Sequence, residues 1–207
     1  MVNRSSWRFW AFLTGLALTV ALFILAWVYP KFPGDETALR GIQGLQSPWM
    51  DGVARVMYDL GELPAVLGLV GVLALALFAA GRRADGVMVV AALIFMAAGQ
   101  SLKPVVGRIR PGQILAGAES AGFGFPSGHS VFAFLFGGLL IYLAGGLIRN
   151  TFARRMVQVA IGLWVVAMGI SRVYLGVHWP SDVIGGFMFG AIALTVIITL
   201  RNTLSSR

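Results

Sequence analysis

Residues 126–148 read PSGHSVFAFLFGGLLIYLAGGLI, a polar turn with a histidine followed by an apolar run that contains no charged residue. From Ser130 to Ile148 the run has 19 residues, and a helix needs about 20 to cross the hydrocarbon core of a bilayer. Because lipid offers no hydrogen-bond partners to exposed backbone groups, we expect this run to be a membrane-spanning α-helix.

The rest of the chain has the same apolar character. Of its 207 residues 58% are hydrophobic and 12% are charged, with a mean hydropathy of +0.84, whereas about a quarter of the residues of a soluble domain are charged. This composition excludes an ordinary soluble globular domain. We predict a single all-α domain over residues 1–207, an integral membrane bundle of six transmembrane helices. The five further spans are 9–28, 63–80, 86–102, 156–171 and 183–200.

The N-terminal run 9–28 resembles a secretory signal peptide in that Arg4 and Arg8 precede it. Its 20 residues exceed the roughly 7–15 of a signal-peptide apolar region, and no small-residue cleavage site follows it. We therefore expect a retained first span.

The segment 34–62 between the first two runs mixes acidic, basic and apolar residues. Trp49, Val53, Val56 and Met57 recur at spacings of about 3.6 residues, which is the pattern of an amphipathic helix. We predict an interfacial amphipathic helix with Trp49 at the level of the lipid headgroups. A surface helix packed on the ends of the bundle is equally compatible with the pattern.

The formal net charge is +8, from 16 basic and 8 acidic residues. Because no basic stripe is interleaved with aromatic residues, we expect no nucleic-acid partner. In a membrane protein an excess of Lys and Arg marks the cytoplasmic loops. With six alternating spans, nine of the basic residues fall on the side of both termini and seven on the other side. We therefore predict cytoplasmic termini, in a bacterial inner membrane.

Six alternating spans also bring three separate stretches to one membrane face. They are KPVVGRIRP (103–111), PSGHS (126–130) and SRVYLGVHWPSD (171–182), on the side that we predict to be extracytoplasmic. Both histidines of the chain are among them. The candidate site residues that this places together are Lys103, Arg110, Ser127, Gly128, His129, Arg172, His178 and Asp182.

Three cations at helix ends suit a phosphoryl group, which carries negative charge on three oxygens. Arg110 and Arg172 offer planar forks for such a group, and Lys103 offers a compact charge. Ser127 is a candidate N-cap of the following helix, where the backbone N–H groups near Gly128 would bind an anion. On its own, the first stretch is also typical of a positive anchor at the end of a span.

The two histidines can divide the chemistry between them. His178 precedes Asp182 by four residues, so the carboxylate can accept the Nδ1–H and leave Nε2 free to attack phosphorus. His129 can protonate a leaving alkoxide and later deprotonate a water. Taken separately, each histidine is typical of a hydrogen-bonded or headgroup-facing residue and Asp182 of a helix cap. Their occurrence at one face favours a site.

The chain closely resembles the type 2 phosphatidic acid phosphatase (PAP2) superfamily in three motifs with matching spacings. They are Lys103, six residues, Arg110-Pro111; Pro126-Ser127-Gly128-His129; and Ser171-Arg172, five residues, His178, three residues, Asp182. The resemblance implies a lipid phosphatase with a six-helix membrane core and with no metal or other cofactor. The soluble vanadate-dependent haloperoxidases share this signature, but the hydropathy of this chain argues against them.

The resemblance also implies a role for each residue. His178 would be the nucleophile, Asp182 its partner and His129 the acid and base. The phosphate would be held by Lys103, Arg110, Ser127, Gly128 and Arg172. The expected substrate is phosphatidylglycerol phosphate, phosphatidic acid or undecaprenyl diphosphate. Two alternatives remain: a lipid phosphotransferase with the same phosphohistidine, and a non-catalytic lipid-binding or transport protein.

Overall fold

Eight α-helices follow one another in the computed structural model, which describes residues 4–119 and 121–205, with side chains over 7–119 and 121–203. No β-strand occurs in the described ranges, so the predicted all-α class is confirmed. The helices are α1 (Arg4–Val28), α2 (Asp35–Gln43), α3 (Pro48–Leu60), α4 (Leu63–Ala79), α5 (Arg83–Val106), α6 (Gly128–Leu147), α7 (Thr151–Tyr174) and α8 (Pro180–Ser205).

Five helices of the described chain, α1, α5, α6, α7 and α8, are long and apolar enough to cross a membrane. The helix α4 has 17 residues, or about 26 Å, somewhat less than the roughly 30 Å of a bilayer core. Together with α3, from which it is bent by 64°, α4 passes the same test as a broken sixth span. The described chain thus has five or six candidate spans, depending on how the bent pair is counted.

Four predicted spans begin at least three residues earlier in the structure than in the sequence pattern, among them α1, which begins at Arg4 and not at residue 9. The helix α5 covers 83–106, α7 covers 151–174 and α8 covers 180–205. Hydropathy marks only the part of a helix that contacts lipid, whereas the backbone hydrogen bonds continue through the polar ends. The additional turns of α5, α7 and α8 carry Lys103, Arg172 and Asp182 of the first and third motifs to one end of the bundle.

The segment 34–62 forms two helices, α2 and α3, where the sequence pattern suggested one. A turn at 44–47 separates them, and Pro48 begins α3 at a position where proline costs no hydrogen bond. In α3, Trp49 is 70% exposed and Val56 54% exposed, so the apolar face of this helix is uncovered within the protein. In α2, Leu39 is fully buried, so this helix packs on the bundle.

The helix α6 lies at the centre and contacts α5, α7 and α8. Its Phe132, Leu135 and Leu139 are fully buried. Glycine permits the close approach of α8, because a Cβ at Gly186 would lie 2.7 Å from the carbonyl oxygen of Ser127. The N-termini of α6 and α8 are therefore neighbours.

An ionic cluster ties α5 to α8 at the other end of the bundle. The buried carboxylate of Asp85 accepts hydrogen bonds from Arg82 at 2.6 Å and from Arg201 at 3.0 Å. The cluster borders a cavity of about 440 Å³. It lies at the membrane side that the sequence assigns to the termini.

Candidate active site

The three sequence motifs meet at one end of the bundle, as the alternation of spans predicted. The backbone N–H of Ser127 donates to the carbonyl oxygen of Asp182 at 3.0 Å, which joins the second motif to the third. The first motif reaches the third through Arg110 and His178. The helix ends carry Lys103 (α5), Ser127, Gly128 and His129 (α6), Arg172 (α7) and Asp182 (α8), and the loops carry Arg110 and His178.

The ring of His178 is buried between a carboxylate and a guanidinium. Its Nδ1 lies 3.4 Å from Oδ2 of Asp182, and its Nε2 lies 3.3 Å from Nη1 of Arg110. A guanidinium can only donate, so Nε2 accepts and the proton of the neutral ring is on Nδ1, facing the carboxylate. Within the described residues, the buried Nδ1 has no hydrogen-bond partner, and Oδ2 of Asp182 at 3.4 Å is the carboxylate oxygen that it faces. Unprotonated Nε2 is the nucleophilic atom of a histidine.

The charge state of His178 follows from its surroundings. Burial lowers the pKa of this imidazole well below its ordinary value, and the nearby cations Arg110, Lys103 and Arg172 lower it further. The side chain is 3% exposed. The ring is therefore neutral at physiological pH, which agrees with the acceptor role of Nε2.

The carboxylate of Asp182 is held on both oxygens. Oδ2 accepts the backbone N–H of Trp179 at 2.9 Å and also faces His178. Oδ1 lies 2.7 Å from Nη1 of Arg108. The bond to Trp179 closes the first turn of α8 as the acidic residue of a capping box does. Asp182 is thus both a helix-capping residue and the partner of His178.

His129 lies against the elbow between α3 and α4. Its Nε2 is 3.0 Å from the carbonyl oxygen of Tyr58 and 3.8 Å from a carboxylate oxygen of Glu62. Because a carbonyl can only accept, Nε2 of His129 carries a proton. Gly61 makes room for the ring, since a Cβ there would lie 1.9 Å from Cδ2 of His129.

Arg172 offers a buried donor to the site. The residue is fully buried, and its Nε and Nη2 donate to the hydroxyl of Ser171 at 3.2 Å. Within the described part of the chain, its Nη1 has no hydrogen-bond partner. An unsatisfied buried guanidinium donor is costly, and an anion bound beside it would remove that cost.

Arg110 and the start of α6 are the remaining parts of the predicted phosphate-binding site. Nη1 of Arg110 donates to the carbonyl oxygen of Val177 at 2.9 Å, which orients the guanidinium toward His178. The predicted N-cap is confirmed, because Ser127 Oγ accepts the backbone N–H of Ser130 at 3.4 Å. A Cβ at Gly128 would lie 2.5 Å from the side-chain nitrogen of Gln100, so a larger residue there would displace this flexible side chain.

Two buried residues of this region were not singled out from the sequence. Arg108 contacts Asp182, and Asp35 from the start of α2 contacts Arg108 at 2.9 Å. Arg108 lies between Lys103 and Arg110 of the first motif, so its position in the sequence was a signal that it belongs to the site. Asp35 is 73 residues away from it, and only the fold reveals the contact.

The carboxylates near the site are engaged with cations or imidazoles, as described for Asp182, Asp35 and Glu62. Over residues 4–119 and 121–205, no group of three or more His, Cys, Asp or Glu side chains is arranged to hold a metal ion.

Comparison with known proteins gives a consistent result. A sequence profile of the PAP2 superfamily matches residues 86–206, more than half of the 207 residues. Phosphatidylglycerophosphatase B of Bacillus subtilis is 30% identical over 167 residues, which cover 79% of this chain and 81% of the relative. Lipid A 4′-phosphatase of Bacteroides thetaiotaomicron is 32% identical over 116 residues, or 51% of this chain and 48% of the relative.

The fold agrees with a solved structure of the same kind. The crystal structure of a transmembrane PAP2 type phosphatidylglycerolphosphate phosphatase from Bacillus subtilis matches with a TM-score of 0.75 and 26% identity, covering 89% of this chain and 96% of that chain. The apolar helices and the similarity to these relatives together show that the protein is an integral membrane protein. The profile match spans all three motifs, and the chain therefore belongs to the PAP2 superfamily of membrane lipid phosphatases.

Proposed function

We propose that the protein hydrolyses a lipid phosphate or diphosphate through a phosphohistidine formed on Nε2 of His178. The environment of this single atom carries the proposal. It is unprotonated, faces the guanidinium of Arg110, and has Asp182 behind the opposite ring nitrogen. A phosphoryl group that binds to Arg110 and to the free Nη1 of Arg172 would meet this nucleophile.

The first step transfers the phosphoryl group to the histidine. Nε2 of His178 forms a bond to phosphorus while the bond from phosphorus to the leaving oxygen breaks. The carboxylate of Asp182, beside the Nδ1–H, stabilises the positive charge that develops on the imidazole. His129, as an imidazolium beside the anionic phosphoryl group, donates its Nε2 proton to the leaving oxygen, which replaces the carbonyl of Tyr58 as the acceptor, and the ring becomes neutral.

The second step releases inorganic phosphate. His129, now neutral at Nε2, takes a proton from a water as its oxygen attacks phosphorus. The bond between phosphorus and Nε2 breaks, and its electron pair returns to His178. Lys103, Arg110 and Arg172 stabilise the negative charge on the three phosphoryl oxygens in both steps, together with the Ser127 hydroxyl and the backbone N–H groups at Gly128 and His129.

The lipid tail has a place next to this site. A groove of about 360 Å³ lies between α4, α6 and α7, and its lining includes Leu60, Leu69, Phe136 and Trp164. Leu60 precedes Gly61, which touches the ring of His129. A headgroup at the cations would therefore leave its tail in an apolar groove beside the acid.

The likeness to named lipid phosphatases supports the substrate class. Phosphatidylglycerol phosphate, phosphatidic acid and undecaprenyl diphosphate all present a terminal phosphate on an apolar tail. We place the site at the extracytoplasmic face of a bacterial inner membrane, and both termini in the cytoplasm. The chain would cross the membrane six times, with the bent α3–α4 pair as one span. The helices α2 and α3 would lie at the membrane interface. The three motifs belong to one domain, 1–207.

Replacement of His178 by Asn tests the function on purified protein. We expect release of inorganic phosphate from lipid phosphates to fall by about 10⁴-fold or more, as on removal of a covalent nucleophile. Binding of inorganic phosphate should remain, because the cations are intact. Turnover by the variant at the wild-type rate would refute the mechanism. Release that appears only as phosphorylated acceptor lipid would indicate a phosphotransferase, and a wild-type protein that binds but never turns over would indicate the non-catalytic alternative.

A further inference from the structure

Arg108 is the centre of a closed ionic network behind the partner of the nucleophile. Its side chain is fully buried, with Nη1 2.7 Å from Asp182 Oδ1 and Nη2 2.9 Å from Asp35 Oδ2. Nε donates to the carbonyl oxygen of Pro30 at 3.2 Å, and Nη1 also donates to Ser181 Oγ at 2.7 Å. Every nitrogen of the guanidinium is thus engaged by protein, and none is left for a phosphate.

Asp35 closes the network from the side of α2. Its Oδ1 accepts the backbone N–H of Ser181 at 3.0 Å, and its Oδ2 accepts the Ser181 hydroxyl at 2.6 Å. The backbone N–H of Phe32 donates to the same oxygen at 2.8 Å. The acid therefore joins the start of α2 to the first turn of α8, directly beside Asp182. It also supplies a negative charge that balances Arg108 in the buried interior.

Two aromatic rings pack against the guanidinium of Arg108. Arg108 Cζ lies 4.6 Å from the ring centroid of Phe32 and 5.9 Å from that of Phe125. Phe125 is fully buried and Phe32 is half-buried, so both rings pack against the buried guanidinium. The direction in which Arg108 presents Nη1 to Asp182 is therefore determined by packing as well as by hydrogen bonds.

We propose that Arg108 and Asp35 are positioning residues that hold Asp182 toward Nδ1 of His178, and that they act on the chemical steps and not on phosphate binding. With Oδ1 held by Arg108, only Oδ2 of Asp182 is free to face the imidazole. Without the network, the carboxylate is held by one backbone bond to Trp179. The inference rests on the proposed function, because it needs His178 as the nucleophile.

The distinguishing experiment compares two inhibitors with turnover. Inhibition by inorganic phosphate measures binding to Lys103, Arg110 and Arg172. Inhibition by vanadate depends in addition on a bond to Nε2 of His178. In Arg108→Lys the charge remains but one ammonium cannot reach four partners in fixed directions. We expect kcat to fall by about 10–100-fold, as for a misplaced catalytic group. The vanadate inhibition constant should weaken in parallel, while the phosphate inhibition constant and KM stay within about threefold.

Asp35→Asn is the second variant, because it retains Arg108 and its contact to Asp182. Loss of the balancing charge and of one acceptor should lower kcat by about 3–10-fold, again without loss of phosphate affinity. Arg40→Gln is the matched control. It removes an exposed arginine of the same helix whose partner is Glu36, and it should leave kcat unchanged.

Equal losses of phosphate affinity and of kcat in both variants would overturn the inference, as would wild-type kcat in both. Normal folding is checked by the thermal midpoint of each variant in detergent. The proposed function fails separately, through an active His178→Asn protein. An inactive His178→Asn with fully active Arg108→Lys and Asp35→Asn would reject only the positioning role.

Discussion

At the scale of single residues, the two imidazoles hold their protons on different atoms. His178 faces a donor with Nε2, and His129 faces an acceptor with Nε2. These hydrogen-bond partners agree with the proposed roles, in which His178 attacks phosphorus and His129 donates a proton.

The lowered pKa of His178 predicts an acid-sensitive fold. The folded protein keeps this ring neutral below pH 6.5, whereas the unfolded chain, with an ordinary histidine pKa of about 6.5, takes up a proton there. Stability from this residue is therefore complete above about pH 6.5 and decreases below it, by up to about 1.4 kcal/mol per pH unit. We expect a thermal midpoint in detergent that is about 2–4 °C lower at pH 5.5 from this residue alone.

The control for this prediction is His178→Asn, which has no proton to take up at this position. Its midpoint should fall less than that of the wild type between pH 7.5 and pH 5.5. Parallel curves for the two proteins would show that protonation of His178 in the unfolded chain does not contribute.

At the scale of elements, the elbow between α3 and α4 determines the position of His129. The carbonyl oxygen of Tyr58 in the last turn of α3 accepts the backbone N–H of Gly61 at 3.0 Å and also the Nε2–H of His129 at 3.0 Å. Leu60 at this elbow also lines the apolar groove between α4, α6 and α7. In the proposed function, the headgroup chemistry and the contact with the lipid tail would meet at this bend of 64°.

Gly61→Ala tests this element. The backbone of Gly61 is right-handed helical, with φ −97°, so alanine is permitted there by conformation. Its Cβ would nevertheless lie 1.9 Å from Cδ2 of His129, and the ring must move. We expect kcat to fall by about 10–100-fold, since proton transfer depends on the position of the ring. The measurement is phosphate release under saturating lipid phosphate.

Gly52→Ala in α3 is the matched control, because a Cβ at Gly52 has nothing within 4 Å. The control should keep wild-type kcat and should gain slightly in helix stability. If Gly61→Ala were as active as Gly52→Ala, the elbow would not position the acid.

At the scale of the whole molecule, the bundle separates two kinds of ionic cluster. One end has the cations of the site with their unsatisfied donor on Arg172. The other end has Arg82 and Arg201, which converge on Asp85 and so join α5 to α8. This contrast agrees with the proposed phosphate binding at the first end, whereas the charges at the second end are paired with one another.

The proposed orientation is open to a direct labelling test, because the chain contains no cysteine. Gln113→Cys places a thiol in an exposed loop at the end with the site, and Arg155→Cys places one on the exposed start of α7 at the opposite end. In intact cells a membrane-impermeant maleimide should label the first variant and not the second. After lysis both should react. Labelling of Arg155→Cys alone in intact cells would reverse the orientation.

The sequence by itself determined the all-α class, the long apolar helices, the N-cap at Ser127 and the face on which the motifs lie. These features follow from hydropathy, from short-range capping patterns and from the alternation of spans, all of which are properties of neighbouring residues. The motif spacings were sufficient to predict both histidines and Asp182 as one site, although the roles of these residues stay predictions.

The tertiary structure alone decided how that site is supported. It divided 34–62 into two helices, placed Gly61 and the carbonyl of Tyr58 against His129, and brought Asp35 to Arg108 across 73 positions of sequence. Contacts of this kind depend on how helix ends pack in three dimensions. Hydropathy and periodicity describe which surface of a helix is apolar, and they contain no information on which buried charge will meet another.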